Sequence, residues 1–324
     1  GFNGEAIGDY LVETPEADLP LHLTYRRPYW FTRTEADPST IYFAFHFVQN
    51  WGDESFAEFV DRLFEEIETI DAPRLVIDLR YNSGGDGSMV LPLVHAIIRN
   101  GTVNASDRLF VLTGPKTFSA AVNLTSHLEH HTNASFVGTP PGAPLHHFGD
   151  ARQIELPSGL SLYVSSVRHQ GGYLGESGTV FAIDVPAPMT GAAYFAGGDP
   201  ALEIILSDAD SRPIETIFEA DGAAAAIGAA DLRMRTASGL GWEGYRPFPE
   251  YPFSIVAYTA YLNGNIEGGM ALLELIARYY PQSSRAQRQL GDVYRAAGRT
   301  DDARTAYERA LALDSYNGEA RSGL

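Results

Sequence analysis

Two short runs of continuous apolar residues, RLVIDL at Arg74–Leu79 and RLFVLT at Arg108–Thr113, constrain this chain more than any other feature of it. Each is strand-length, rich in branched side chains, and breaks at once into turn residues. Asn82-Ser83-Gly84-Gly85 follows the first run, and Gly114-Pro115-Lys116-Thr117-Phe118 follows the second. Strands apolar on both faces belong to parallel sheets covered by helices on either side. The segments between them have helical spacing. Phe56, Phe59, Val60, Leu63, Phe64, Ile67 and Ile70 recur at three- and four-residue steps behind Asp53, the expected cap. A second helix is expected from about Met89 to Ile98, and a third from near Ser119. TIYFAFHFV at Thr40–Val48 precedes this series as a strand, and Ala134–Val137 closes it. The sum is a βαβ core with a largely parallel sheet. Arg152–Leu156 and Leu160–Ser165 are expected to form a hairpin turning at Pro157-Ser158-Gly159.

The 324 residues are 44% apolar and 20% charged, enough for more than one packed core. The net charge of −18 repels phosphate backbones and anionic lipid surfaces, so no nucleic-acid or membrane-surface partner is expected. No uninterrupted apolar run is long enough to span a bilayer. Cysteine is absent, which removes disulfides, thiolate metal sites and cysteine nucleophiles together and leaves an oxygen or a lysine. His130-His131 and His146-His147 are adjacent pairs unsuited to chelation from one helix face. Neither HExxH nor GxGxxG nor GxxxxGK[ST] occurs, so no metal and no cofactor is expected. A cysteine-free chain fits an exported bacterial protein, periplasmic or extracellular, with the cytoplasm left open.

Beyond about residue 207 the chain changes character. Glu250–Ser283 and Ser284–Asn317 align at one period, with Leu290, Gly291, Tyr294, Ala303, Tyr307 and Ala310 opposite Val256, Ala257, Ala260, Gly269, Leu273 and Ile276. Small residues where helices approach and large ones in the adjoining gaps resemble the tetratricopeptide repeat, a platform for a protein partner. The expected organisation is a mixed, proline-interrupted segment at 1–38 (read as the remnant of an upstream domain), an α/β core at 39–207, a connecting segment at 208–249 and two repeats at 250–324.

Functional residues are expected where the glycine-rich loops leave the carboxyl ends of parallel strands. Ser119 stands at a strand–turn–helix junction. It is either a plain helix cap or a hydroxyl beside the unpaired helix amides, with Ala120 N–H as a donor to an oxyanion. Gly84 or Gly85 can bring a second amide close, or can simply make a turn. DLRYNSGG at 78–85, LTGPKTFSAA at 112–121, FVGTPPG at 136–142, LPSGL at 156–160 and GGDPALEIIL at 197–206 together resemble the C-terminal processing serine peptidases, which are tail-specific and tricorn-core-like. The resemblance covers about residues 40–206. It implies a ClpP/crotonase-like fold and a peptide or protein substrate. Ser119 takes the nucleophile's position, Ala120 and Gly84 or Gly85 supply the oxyanion-hole amides, and an Asp78–Arg80 ion pair fixes the loop.

The best-known branch of that family carries a lysine base just after the FVG strand. Gly138–Pro144 has none here. His146 and His147 are the local replacements. Glu176, in a glycine-rich loop, is the counterpart of the tricorn-like branch's glutamate, whose histidine partner would precede this chain. Lys116 is expected to be solvated, and His46 to lie on a strand surface. His127, His130 and His131 follow on the helix and are expected to be surface- or partner-facing; His130 shares the face of Ser119 but lies about 16 Å along the axis, out of reach. Two functions follow: a serine peptidase with backbone oxyanion hole, or a catalytically silent, peptide-binding scaffold of the same fold whose repeats recruit a partner.

Overall fold

The computed structural model describes residues 19–24, 27–105, 107–172, 181, 183–207, 211–242 and 245–324. The chain forms two compact units. One comprises residues to Gly171 together with Ala187–Ser211, and the other Gly172–Pro186 together with Arg212–Leu324.

In the first unit, strands β1 (Tyr29–Arg33), β2 (Thr40–Phe45), β3 (Arg74–Asp78), β4 (Leu109–Thr113) and β5 (Ser135–Gly138) lie side by side in that order. β1 is antiparallel to β2; β2 to β5 are parallel. Every residue of β2 and of β4 is buried, as the continuous apolar runs require. Helices α1 (Phe56–Glu68), α2 (Leu91–Arg99) and α3 (Ala120–His131) connect successive parallel strands, and the short α4 (Gly191–Phe195) and α5 (Pro200–Leu206) belong to the same unit. α1 is capped by Ser55, not by Asp53. Ser55 accepts from Glu58 N–H while the Glu58 carboxylate accepts from Ser55 N–H, a reciprocal arrangement that satisfies two orphan donors. Phe45 and Phe56 stack at 4.7 Å, and Tyr29 meets the Phe59 ring at 4.6 Å, so β1, β2 and α1 share an aromatic core.

That core corrects the expectation of a separate segment at 1–38. Tyr29–Arg33 is an edge strand of the sheet, and the aromatic run YWFTR outweighs the surrounding prolines because Pro28 sits just outside the ladder. Residues 1–18 lie outside the described residues. His46, expected on a strand surface, is 4% exposed.

β6 (His146–Glu155) and β7 (Ser161–Gln170) form a second, two-stranded antiparallel sheet. Its distal part is exposed on both faces, while its base is anchored by Gly171 N–H donating to Leu145 O.

The second unit is helical: α6 (Ile214–Asp221), α7 (Ala223–Gly239), α8 (Glu250–Leu262), α9 (Ile266–Tyr279), α10 (Ser284–Ala296), α11 (Thr300–Leu313) and α12 (Gly318–Gly323). Starts and ends of α10 and α11 fall 34 residues after those of α8 and α9. A Cβ on Gly269 would meet Ala257 O at 2.8 Å, and one on Gly291 would meet the Tyr307 ring at 2.6 Å, so glycine is what lets each helix pair close. Residues 208–249 are more than a connector. Ile214, Ile217, Phe218, Ala226, Ala230 and Phe248 share one buried core with Phe253, Leu272 and Ile276 of the repeats. Nor is the 39–207 core continuous, because Tyr245, 2% exposed, donates its hydroxyl proton to Ile183 O at 2.7 Å within this helical unit.

Candidate active site

Three loops leave the carboxyl ends of β3, β4 and β5, and hydrogen bonds lock them together. Phe118 N–H donates to Asn82 O (2.9 Å) and Thr117 Oγ1 to Leu79 O (2.7 Å), tying the turn before α3 to the glycine loop. Gly142 N–H donates to Thr117 O (3.0 Å) and Thr113 Oγ1 to Thr139 O (2.8 Å), tying in the loop after β5. Asn82 and Thr117 are fully buried. The sequence names neither as a site residue, although each stands inside a quoted motif.

Beneath the loops lies a charged cluster. Arg80 reaches Asp78 Oδ2 (2.6 Å) and makes two bonds to Asp199, at 2.7 and 2.8 Å. Tyr42 donates to Asp78, and His22 Nδ1 lies 3.1 Å from Asp199 Oδ2. The expected Asp78–Arg80 pair is therefore present, with Asp199 as its unforeseen third member. Burial opposes the Asp199 charge, but His22, Arg80 and their hydrogen bonds outweigh it and hold the carboxyl well below the ordinary range. A guanidinium that saturates two buried carboxylates fixes the start of the glycine loop.

Ser119 has φ +53° and ψ −123°, a conformation in which a side-chain-bearing residue is strained. Its side chain makes no capping bond to α3, and its hydroxyl makes no hydrogen bond among the described residues. Ala120 N–H, the first amide of the helix, likewise has no acceptor among them. A Cβ placed on Gly84 would lie 2.7 Å from Ser119 Cβ and 3.1 Å from Ala120 N. Glycine at 84, with φ +104°, thus keeps open a space at hydrogen-bond distance from that amide.

The two glycine amides differ. Gly84 N–H is committed to Asn82 Oδ1 at 2.9 Å, so of the sequence candidates it is not a spare donor. Gly84 O accepts from Val48 N–H and Val48 O from Asp86 N–H. Across the trans peptide, Gly85 N–H then points away from Val48 with no acceptor among the described residues. Gly85 is the amide left over.

Of the base candidates, Glu176 lies outside the described residues. His147 is 6% exposed. Its ring sits 6.5 Å from that of Phe118 and 5.0 Å from that of His169, its cross-strand partner on β7. Burial lowers its pKa and His169 adds to this, while the bond from Nδ1 to Pro144 O at 3.1 Å opposes both. His146, next along the strand, faces the other side of the hairpin. Lys116, expected to be solvated, stands 5.2 Å over the Tyr81 ring. His127 and His131 stack at 6.2 Å near the far end of α3. Sequence reasoning missed His169 and Asn123, whose side chains meet at 3.4 Å. The only signal was the alternation that puts His147 and His169 on one face of a hairpin. Among the described residues, no three His, Asp or Glu side chains are grouped to hold a metal ion.

Among solved structures this chain is similar to a candidate peptidase from Parabacteroides merdae, at 17% identity and a TM-score of 0.39 over 65% of this chain and 72% of that one. It is similar to the photosystem II D1 C-terminal processing protease at 15% identity and a TM-score of 0.37, covering 56% of this chain and 53% of that one. A third likeness, to a candidate protease from Bacteroides fragilis, has 15% identity and a TM-score of 0.38 over 55% and 54% of the two chains. This chain spans about half the length of the processing protease. No curated protein matches it. The tetratricopeptide-repeat family matches residues 284–324, beginning where α10 begins. Among the described residues no helix is long and apolar enough to cross a membrane.

Proposed function

We propose that this chain is a serine-type peptidase acting on peptides or protein C-termini. Ser119 is its nucleophile, and Ala120 and Gly85 supply the oxyanion-hole amides. The observation that carries the reading is the strained Ser119, its hydroxyl unused as a cap, beside a helix-terminal amide with no acceptor among the described residues and the space that Gly84 keeps open. A hydroxyl held at a helix start can attack a peptide carbonyl there, and the developing oxyanion meets a preorganised donor. The Asp78–Arg80–Asp199 cluster sets the loop in place and takes no proton in the reaction. An exported bacterial location belongs to the same reading, and the helical repeats are its surface for a protein partner.

The alternative is a silent peptide-binding scaffold. It is favoured by one observation, that no base is hydrogen-bonded to the Ser119 hydroxyl among the described residues. Incubation with a mixture of unstructured peptides, followed by mass spectrometry, separates the two. Cleavage that falls at least about 1,000-fold in Ser119→Ala is the result expected of the peptidase. Equal product from both proteins, or none from either, would leave the scaffold.

A further inference from the structure

Resting on the peptidase reading above, we propose that His147 is the general base that activates Ser119. A single tautomer of the imidazole satisfies its surroundings. Its Nδ1 lies 3.1 Å from the carbonyl oxygen of Pro144. A carbonyl only accepts, so Nδ1 carries the hydrogen, and in the neutral ring the lone pair stands on Nε2. Nε2 is buried and has no hydrogen-bond partner among the described residues. A buried acceptor left unsatisfied is uncommon in a folded protein and calls for a donor that arrives with function.

The His147 ring packs against Phe118, the residue before Ser119. Its stacked neighbour His169 is bound by Asn123, one helical turn after Ser119 on the same face of α3. The histidine pair is therefore moored on both sides of the serine. Gly142 holds the loop that delivers Pro144 and His147 by donating to Thr117 O. The serine hydroxyl is also without a partner among the described residues, so these two groups complement each other. Hydrogen bonds between nucleophile and base are often incomplete in a free enzyme and tighten with substrate. His146 also has a buried ring nitrogen with no partner among the described residues, but it lies on the opposite face of β6, away from the Phe118 and His169 contacts.

In the reaction, Ser119 Oγ forms a bond to the substrate carbonyl carbon as its proton passes to His147 Nε2. The carbonyl π pair moves onto the oxygen held by the amides. When the intermediate collapses, the C–N bond breaks and Nε2–H protonates the leaving amine. Water then repeats the sequence, giving its proton to Nε2, and the released Ser119 oxygen takes that proton back. Burial keeps the imidazole neutral and so able to accept the first proton.

The test measures the rate at which a fluorophosphonate labels the full chain. His147→Gly and His147→Gln are each expected to slow labelling at Ser119 about 100-fold or more. Added imidazole should restore a measurable part of the rate to His147→Gly, which a merely structural histidine would not allow. Labelling at the unmutated rate in either variant would overturn the assignment while leaving Ser119 as nucleophile. So would loss without imidazole rescue, or loss and rescue at His146→Gly in place of His147→Gly. No labelling of the unmutated chain would remove the peptidase reading itself, and this assignment with it.

Discussion

Ser119 pays for its position in backbone strain, and this strain is the sharpest residue-scale signature in the molecule. A non-glycine residue at φ +53° and ψ −123° costs of order 1–3 kcal/mol. Glycine relieves it but adds freedom to the unfolded chain. Ser119→Gly is accordingly expected to raise unfolding stability by about 1 kcal/mol while abolishing serine-directed labelling, both read on the same preparation by urea denaturation and a labelling assay. Lower stability would mean that the hydroxyl or the Cβ is needed for folding. The residues that carry this corner were partly legible. Serine at a strand–helix junction and paired glycines announce themselves in one sequence, because helix starts and positive φ restrict residue choice. Which glycine keeps a free amide was not legible, since it depends on the Asn82 side chain. Nor was His169, which lies 46 residues from its partner Asn123 and meets it only once the hairpin folds back on α3.

At the scale of elements, parallel strands and repeat helices declare themselves because burial imposes a period on them. β3 and β4 coincide with the apolar runs, and the boundaries of α8–α11 keep the repeat's spacing although only residues 284–324 match the repeat family. β1 was hidden, because an edge strand five residues long among prolines carries no period of its own. The repeat packing also makes a quantitative expectation. In Gly291→Ala the new methyl would meet the Tyr307 ring at 2.6 Å, inside contact distance, and Tyr307 is 1% exposed and has nowhere to retreat. The α10–α11 pair should lose about 1–3 kcal/mol, seen as a lower urea midpoint for the helical unit. A midpoint unchanged within error would mean that the interface is looser than these distances require.

For the whole molecule, the division of the chain follows tertiary contacts that no local pattern encodes. Residues 183–186 belong with the helices, held in part by a tyrosine about 60 residues downstream. Residues 214–239 contribute core rather than a linker. The charge of −18 and the absence of cysteine act at this scale too: the first sets the field any substrate must approach, and the second leaves hydroxyl oxygen as the natural nucleophile. All of this converges on one side chain. Treating the full chain with a fluorophosphonate and mapping the adduct by peptide mass spectrometry tests that convergence directly. A single adduct on Ser119 is the predicted result. An adduct on any other residue, or none at all, would contradict it.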